Sequence, residues 1–145
     1  MDKTNVIINT DGGARGNPGP AAIGVVVQEG GDKKPVAIRE YSAYLGQTTN
    51  NIAEYSAVIF ALKKVKALLG GDKAKRTDVE VRADSELLVK QLNGQYKIKN
   101  RELQPLFVEI WNLKQDFHSV TFVHVPRGEN RAADALVNRT LDTLI

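Results

Sequence analysis

Residues 6–20 read VIINTDGGARGNPGP. Val6-Ile7-Ile8 is a short apolar run rich in β-branched residues, Asn9-Thr10-Asp11 closes it, and residues 12–20 are dense in turn formers. The stretch therefore predicts a strand that ends on a carboxylate and feeds a tight connection. Downstream, residues 22–28 and 36–45 read as second and third strands, with Gly30-Gly31-Asp32-Lys33 as the turn between them. Connections this short predict an antiparallel meander.

Helical spacing then takes over. Ile52, Tyr55, Ile59, Leu62, Val65 and Leu69 recur at steps of three and four, with Lys63, Lys64 and Lys66 largely on the other side. Asn50 or Asn51 is the expected N-cap and Gly70-Gly71 the stop. Alternation over residues 79–83 predicts a fourth strand, after which Asp84-Ser85 starts a short helix that Asn93-Gly94 ends. Leu103, Leu106, Phe107, Ile110, Trp111 and Leu113 mark another helix, with Pro105 in its tolerant first turn. Residues 120–125 read as a fifth strand and 130–144 as a terminal helix. The order βββαβααβα predicts an α/β fold: a five-stranded mixed sheet, meander strands followed by parallel ones, with helices on both faces. No linker or repeat divides the chain, so one domain over residues 1–145 is expected.

The composition narrows the function classes. The chain has 145 residues, 42% hydrophobic and 26% charged, and no cysteine. It has enough length for one core and no means of forming a disulfide framework, a zinc knuckle or a thiol nucleophile. A reducing, cytoplasmic setting is expected, and residues 1–10 lack the pattern of a signal peptide. The net charge of +3 is uneven: residues 63–101 hold 11 basic and 5 acidic residues, so a basic middle lies between acidic flanks. Such a cluster attracts a phosphate backbone without reading sequence, although a solvated helix face explains the charge equally simply.

Phosphate-loop, dinucleotide, nucleophile-elbow and zinc-protease signatures are absent, and His118 and His124 have no partner at ligand spacing. The Asn138-Arg139-Thr140 triplet matches a glycosylation acceptor only by chance. Carboxylates at structural punctuation are more informative. Asp11 ends the first strand, Glu54 lies in the first turn of the long helix, Asp84 ends the fourth strand, and Asp134 opens the last helix. If strands one and four are parallel neighbours, Asp11 and Asp84 leave the sheet at one edge, and two helix starts supply the others. Each carboxylate alone has an ordinary reading as a strand end or first-turn acid. Four converging would repel one another unless divalent cations, Mg²⁺ or Mn²⁺, neutralised them. Two ions roughly 4 Å apart suit phosphoryl transfer to water.

Asp11-Gly12-Gly13, Gly16-Asn17-Pro18-Gly19-Pro20, Thr48-Thr49-Asn50-Asn51-Ile52-Ala53-Glu54, Asp84-Ser85 and the run from Asn130 to Asp134, taken in order, resemble a type 1 ribonuclease H. The resemblance implies an endonuclease that hydrolyses the RNA strand of RNA–DNA hybrids, leaving 5′-phosphate and 3′-hydroxyl ends. Asp11, Glu54, Asp84 and Asp134 would be its metal-site carboxylates. Asp11 and Asp84 would bridge or flank two Mg²⁺ ions, with Mn²⁺ as a substitute, Glu54 would hold the ion near the leaving group, and Asp134 the ion that activates water. Gly12, Gly13 and Gly16 would let backbone approach the minor groove, where Asn17, Asn50 and Asn51 face sugars and base edges. Thr49 and Asn100 match positions that hold a DNA-strand phosphate, and Glu86 matches a polar position after Asp84-Ser85.

Departures from the family pattern bear on mechanism. The basic helix that some members insert before the Asn100 position is replaced by a short loop, residues 94–99. Hybrid affinity is then expected to rest on Lys90, Lys97, Lys99 and Arg101. The loop before Asp134 carries Arg127 where many members have a product-release histidine, and Gln47 stands where some relatives have a cation. This pattern resembles archaeal-type and some bacterial members. A monomer without membrane attachment is expected, and the sequence leaves open whether double-stranded RNA is a substrate besides the hybrid. Two other readings stay open: a binding module that grips hybrids without cutting, which the four intact carboxylates disfavour, and the nuclease domain of a larger reverse transcriptase, which the compact ends disfavour.

Overall fold

The computed structural model describes residues 4–30 and 35–144. Three strands, β1 (Thr4–Ala14), β2 (Gly19–Gly30) and β3 (Pro35–Thr48), come first, followed by helices α1 (Asn50–Leu69) and α2 (Gly71–Ala74). Strand β4 (Thr77–Ala83), helices α3 (Glu86–Leu92) and α4 (Gln104–Lys114), strand β5 (Ser119–His124), a 3-10 turn (Arg127–Glu129) and helix α5 (Arg131–Asp142) complete the order. The sheet runs β3-β2-β1-β4-β5, with β1, β2 and β3 antiparallel and β1, β4 and β5 parallel. The expected mixed sheet is therefore the observed one. Most of the expected turn at residues 30–33 lies outside the described residues.

The larger core fills one face of the sheet. Val6, Ile8, Val25, Val27, Val79 and Val81 point into it from the strands, and Tyr55, Val58, Leu62 and Val65 from α1. Alternation along β4, where Thr77, Val79, Val81 and Ala83 are buried, is the period-two pattern that such a half-covered strand requires. On the other face α5 packs Val137 and Leu141 against Ala22. Contact there is close because Gly24 has no side chain: a Cβ would lie 2.2 Å from the Ala133 carbonyl oxygen. The two faces thus hold α1 and α5 against the same strands, β1, β2 and β3.

Several expectations are corrected. The ladder between β1 and β2 runs on through Gly12, Gly13 and Ala14, paired with Ile23, Ala22 and Ala21, so the expected loop of residues 12–20 shrinks to residues 15–18. Sheet pairing outweighs the turn propensity of these glycines. Strand β3 likewise extends to Thr48. Neither Asn50 nor Asn51 caps α1: Thr49 does, its Oγ1 accepting from the Ile52 amide at 3.2 Å. Because α1 starts at Asn50, Glu54 falls in its second turn rather than its first. In α4 only Ile110 is fully buried, and Trp111 turns outward, 53% exposed, beneath the Lys114 ammonium.

Candidate active site

Parallel pairing delivers the first two carboxylates. With Ile8 opposite Val81 and Asn9 opposite Arg82, Asp11 and Asp84 follow two residues later at one end of the parallel ladder. Asp11 does not end β1 as expected but lies inside it, opposite Gly24, because pairing with β2 carries the strand on to Ala14. Ser85, directly after Asp84, caps α3 by accepting from the Leu88 amide at 3.2 Å. Glu54 arrives because Gly12 is bare. A Cβ there would stand 2.3 Å from the Ala53 carbonyl and 2.5 Å from the Glu54 nitrogen, so α1 rests on β1 backbone beside Asp11. Asp134 is set by Asn130, whose buried carboxamide donates to the Thr10 carbonyl at 2.9 Å and accepts from Asn9 Nδ2 at 3.1 Å. The Asp134 amide in turn donates to the Asn130 carbonyl.

The four carboxylates line one open cleft of about 470 Å³, together with Gly12, Gly13, Asn50, Ser85 and Arg127. Their mutual effect is large. Burial, then the charge of Asp84, then Asp134 as neighbour and hydrogen-bond partner, then Glu54, push the Asp11 carboxyl up to about 8. Burial also lifts Glu54 to about 7, with Asp84 adding to it and a hydrogen bond from Ser85 opposing. Burial and the adjacent Glu54 raise Tyr55 to about 12, while its hydroxyl donates to Gln91 at 2.7 Å.

Among the described residues no three His, Asp or Glu side chains form a ready coordination cage. The case for a cation is the donor set itself: hard carboxylate oxygens alone, partly desolvated, with burial and neighbouring charge holding Asp11 and Glu54 well above the ordinary carboxylate range. The residues present therefore fit a hard divalent cation. A protein cation, Arg127, also reaches the site, with its Nε 3.8 Å from Asp84 and its side chain 88% exposed.

The remaining expected site residues divide into two groups. Asn17 and Asn50 are knit to the start of α1: Asn50 Oδ1 accepts from the Ala14 amide at 2.8 Å, and Asn17 Oδ1 from the Asn50 amide at 3.1 Å. Gly16, Asn17, Thr49 and Asn51 border this seam without lining the cleft. Glu86 and Asn100 also stand outside it. Glu86 pairs with Lys90 at 2.6 Å, which lowers its carboxyl, and Asn100 Oδ1 accepts from the Glu102 amide in a turn. Lys90 additionally lies over the Tyr96 ring, 5.0 Å from its centre.

Comparison with known proteins is decisive for the family. The "Reverse transcriptase-like" family matches residues 9–140. A "Ribonuclease H" of Polynucleobacter asymbioticus is 33% identical over 160 residues, covering 97% of this chain and 92% of that protein. The chain belongs to the ribonuclease H family. Among solved structures, LC11-RNase H1 in complex with an RNA/DNA hybrid is 48% identical, with a TM-score of 0.85 over 95% of this chain and 97% of that one. The "Bifunctional protein Rv2228c" of Mycobacterium tuberculosis is 38% identical over 137 residues, 94% of this chain but 35% of its own length. This ribonuclease H chain thus spans about a third of the mycobacterial relatives it matches.

Sequence reasoning missed four residues of this ribonuclease H site: Asn9, Arg15, Asn130 as a buried anchor, and Asn138, whose Nδ2 reaches Asp134 at 3.4 Å. Asn138 was legible as the residue one turn after Asp134 on the same helix face. Asn130 bonds across 120 residues, and no local pattern announces that.

Proposed function

We propose that the chain is a divalent-metal-dependent endoribonuclease that hydrolyses the RNA strand of RNA–DNA hybrids, leaving 5′-phosphate and 3′-hydroxyl ends. The observation that carries this reading is the Asp11, Glu54, Asp84, Asp134 cleft, in which burial first and then the neighbouring carboxylates raise Asp11 to about 8. The hybrid bound by LC11-RNase H1 supports the choice of substrate. Asp11, Glu54, Asp84 and Asp134 would hold two Mg²⁺ ions, or Mn²⁺. Bound there, the cations supply an activated water and offset charge on the leaving oxygen.

The chain's own groups do the rest. Asn17 and Asn50, fixed through their Oδ1 atoms, turn amide donors toward minor-groove acceptors and sugars. Gly13 and Gly16 admit backbone to that groove, Asn51, Thr49, Asn100 and Glu86 flank the duplex, and Lys97, Lys99 and Arg101 attract its phosphates. Arg127 helps product to leave. One catalytic domain over residues 1–145, acting as a cytoplasmic monomer, completes the reading, and whether double-stranded RNA is also cut is an outcome of the assay below. Among the described residues no helix is long and apolar enough to cross a membrane.

The test is a cleavage assay on strand-labelled hybrid, duplex RNA and duplex DNA, each with Mg²⁺, Mn²⁺ or chelator, alongside Asp11→Asn. Metal-dependent cutting of the hybrid's RNA strand, lost in the variant, is expected. Tight hybrid binding without cutting by the wild-type protein would replace the enzyme with a binding module.

A further inference from the structure

Arg15 is a cation in the cleft that the proposed reaction leaves without a task. It opens the four-residue connection between β1 and β2, and its backbone is fixed at that place: its amide donates to the Pro20 carbonyl at 2.8 Å, and its own carbonyl packs on Gly19. From there the guanidinium crosses to α5. One nitrogen lies 2.6 Å from Asp142 Oδ1 and 3.4 Å from the Asn138 carbonyl oxygen. Asn138, Val137 and Leu141 continue the cleft wall from Asp134 toward that point. Asp142 is eight residues past Asp134, about 12 Å along the helix axis.

Asp142 is an unusual choice for its position. It occupies the last turn of α5, where the helix dipole disfavours an acid, and its side chain is 64% exposed, so neither the helix nor the core calls for a carboxylate there. What it does is satisfy Arg15. An exposed pair of this kind is weak and exchanges readily, and a guanidinium fork matches a phosphate as well as it matches a carboxylate.

We propose that Arg15 binds a backbone phosphate of the nucleic-acid substrate, and that Asp142 is a competing partner which occupies the guanidinium until the substrate displaces it. This rests on the hybrid-cleavage reading above. The contact lies away from the carboxylates, so it contributes to substrate affinity and register rather than to bond breaking.

The experiment measures hybrid binding by fluorescence anisotropy over a salt series, in the uncut Asp11→Asn background, and cleavage in the otherwise wild-type protein. Arg15→Ala is expected to weaken binding and to reduce the slope of log affinity against log salt by about one, the signature of one lost phosphate contact. Arg15→Lys keeps the slope while losing part of the affinity. Asp142→Asn tightens binding by about two- to fivefold, the range over which an exposed pair competes. In the Arg15→Ala background the same change gains clearly less, and that coupling separates displacement from a general charge effect. Equal gains in both backgrounds, weaker binding by Asp142→Asn, or an unchanged salt slope in Arg15→Ala would each overturn the inference while wild-type cleavage stands. A wild-type protein that neither binds nor cuts the hybrid would overturn the functional reading and this inference together.

Discussion

Asn130 ties the last helix to the first strand: its Nδ2 donates to the Thr10 carbonyl at 2.9 Å, one residue before Asp11 and four before Asp134. The carboxamide is 1% exposed, and its Oδ1 accepts from Asn9. The neighbouring carboxylates Asp11 and Asp134 thus share one buried anchor. Asn130→Ala leaves the Thr10 carbonyl without that donor and should destabilise the protein by about 1–3 kcal/mol. Cleavage should fall through kcat more than KM, because Asp134 moves relative to Asp11 while the substrate seam at Asn17 and Asn50 is untouched. Thermal unfolding and steady-state kinetics check both. An unaltered kcat would show that the anchor does not position Asp134.

Asp11→Asn should abolish cleavage and yet make the metal-free protein more stable above neutral pH. In the folded protein Asp11 keeps its proton up to about 8, against an ordinary value of 3.8. Between those values the folded state binds more protons than the unfolded chain, so stability is full below about 4 and is lost as pH rises toward 8. Removing the carboxylate removes that loss. A rise of a few degrees in Tm at pH 8, with a flatter Tm–pH curve than wild type, is expected, since about 1 kcal/mol moves a chain of this size by about 2–4 °C. A lower Tm at pH 8 would contradict the repulsion inferred among the four carboxylates.

The contrast between these residues shows what sequence can and cannot carry. Asp84 was legible because it directly follows β4, whose end local residue types punctuate, whereas Asp11, read as the end of β1, lies inside that strand opposite Gly24; parallel pairing of β1 with β4 still places the two together. Alternation along β4 and the three-four spacing of Tyr55, Ile59, Leu62 and Val65 located core elements for the same local reason. Thr49 was passed over as a cap because asparagines follow it, yet Asn50 is drawn to Ala14 and Asn17, and only tertiary structure reveals that competition. Gly12 and Gly13 read as turn residues for want of a side chain, whereas β2 and α1 supply the partners that keep them extended.

Metal binding should tighten steeply with pH. The cation must displace protons from Asp11, at about 8, and Glu54, at about 7. Affinity for Mg²⁺ should therefore rise by up to about tenfold per pH unit for each displaced proton, and level off above about pH 8. Calorimetry in two buffers of different ionisation enthalpy reads the released protons directly, and saturating metal should raise Tm. A pH-independent affinity with no proton release would mean that these two groups are not ligands.

Gly12 and Gly13, adjacent in sequence, should respond differently to the same methyl group. On Gly12 it meets the Ala53 carbonyl at 2.3 Å, so Gly12→Ala must lift α1 from β1, at a cost of about 3 kcal/mol or more, and carry Glu54 away from Asp11. On Gly13 it meets only Val137 Cγ1 at 3.6 Å, an ordinary contact. Gly13→Ala should keep wild-type stability while weakening hybrid binding, since Gly13 lines the open cleft. Denaturant midpoints separate the two. Equal midpoints for both variants would refute the packing role given to Gly12.

Arg127 sits in the turn between β5 and α5, almost fully exposed, 3.8 Å from the carboxylate of Asp84. Asp84 is only 14% exposed, but the guanidinium itself stands in solvent, so at that distance the contact is worth about 1 kcal/mol and the side chain is free to exchange Asp84 for the new 5′-phosphate. If it draws product out, Arg127→Ala should slow multiple turnover by about fivefold, the factor that 1 kcal/mol represents, and leave single-turnover cleavage nearly intact. Arg127→Lys should recover part of the loss, because charge is retained and only the planar fork is missing. The split between single and multiple turnover matters more than the size of the effect. A uniform loss in both would place Arg127 in the chemical step through Asp84, and unchanged turnover would remove it from the cycle altogether.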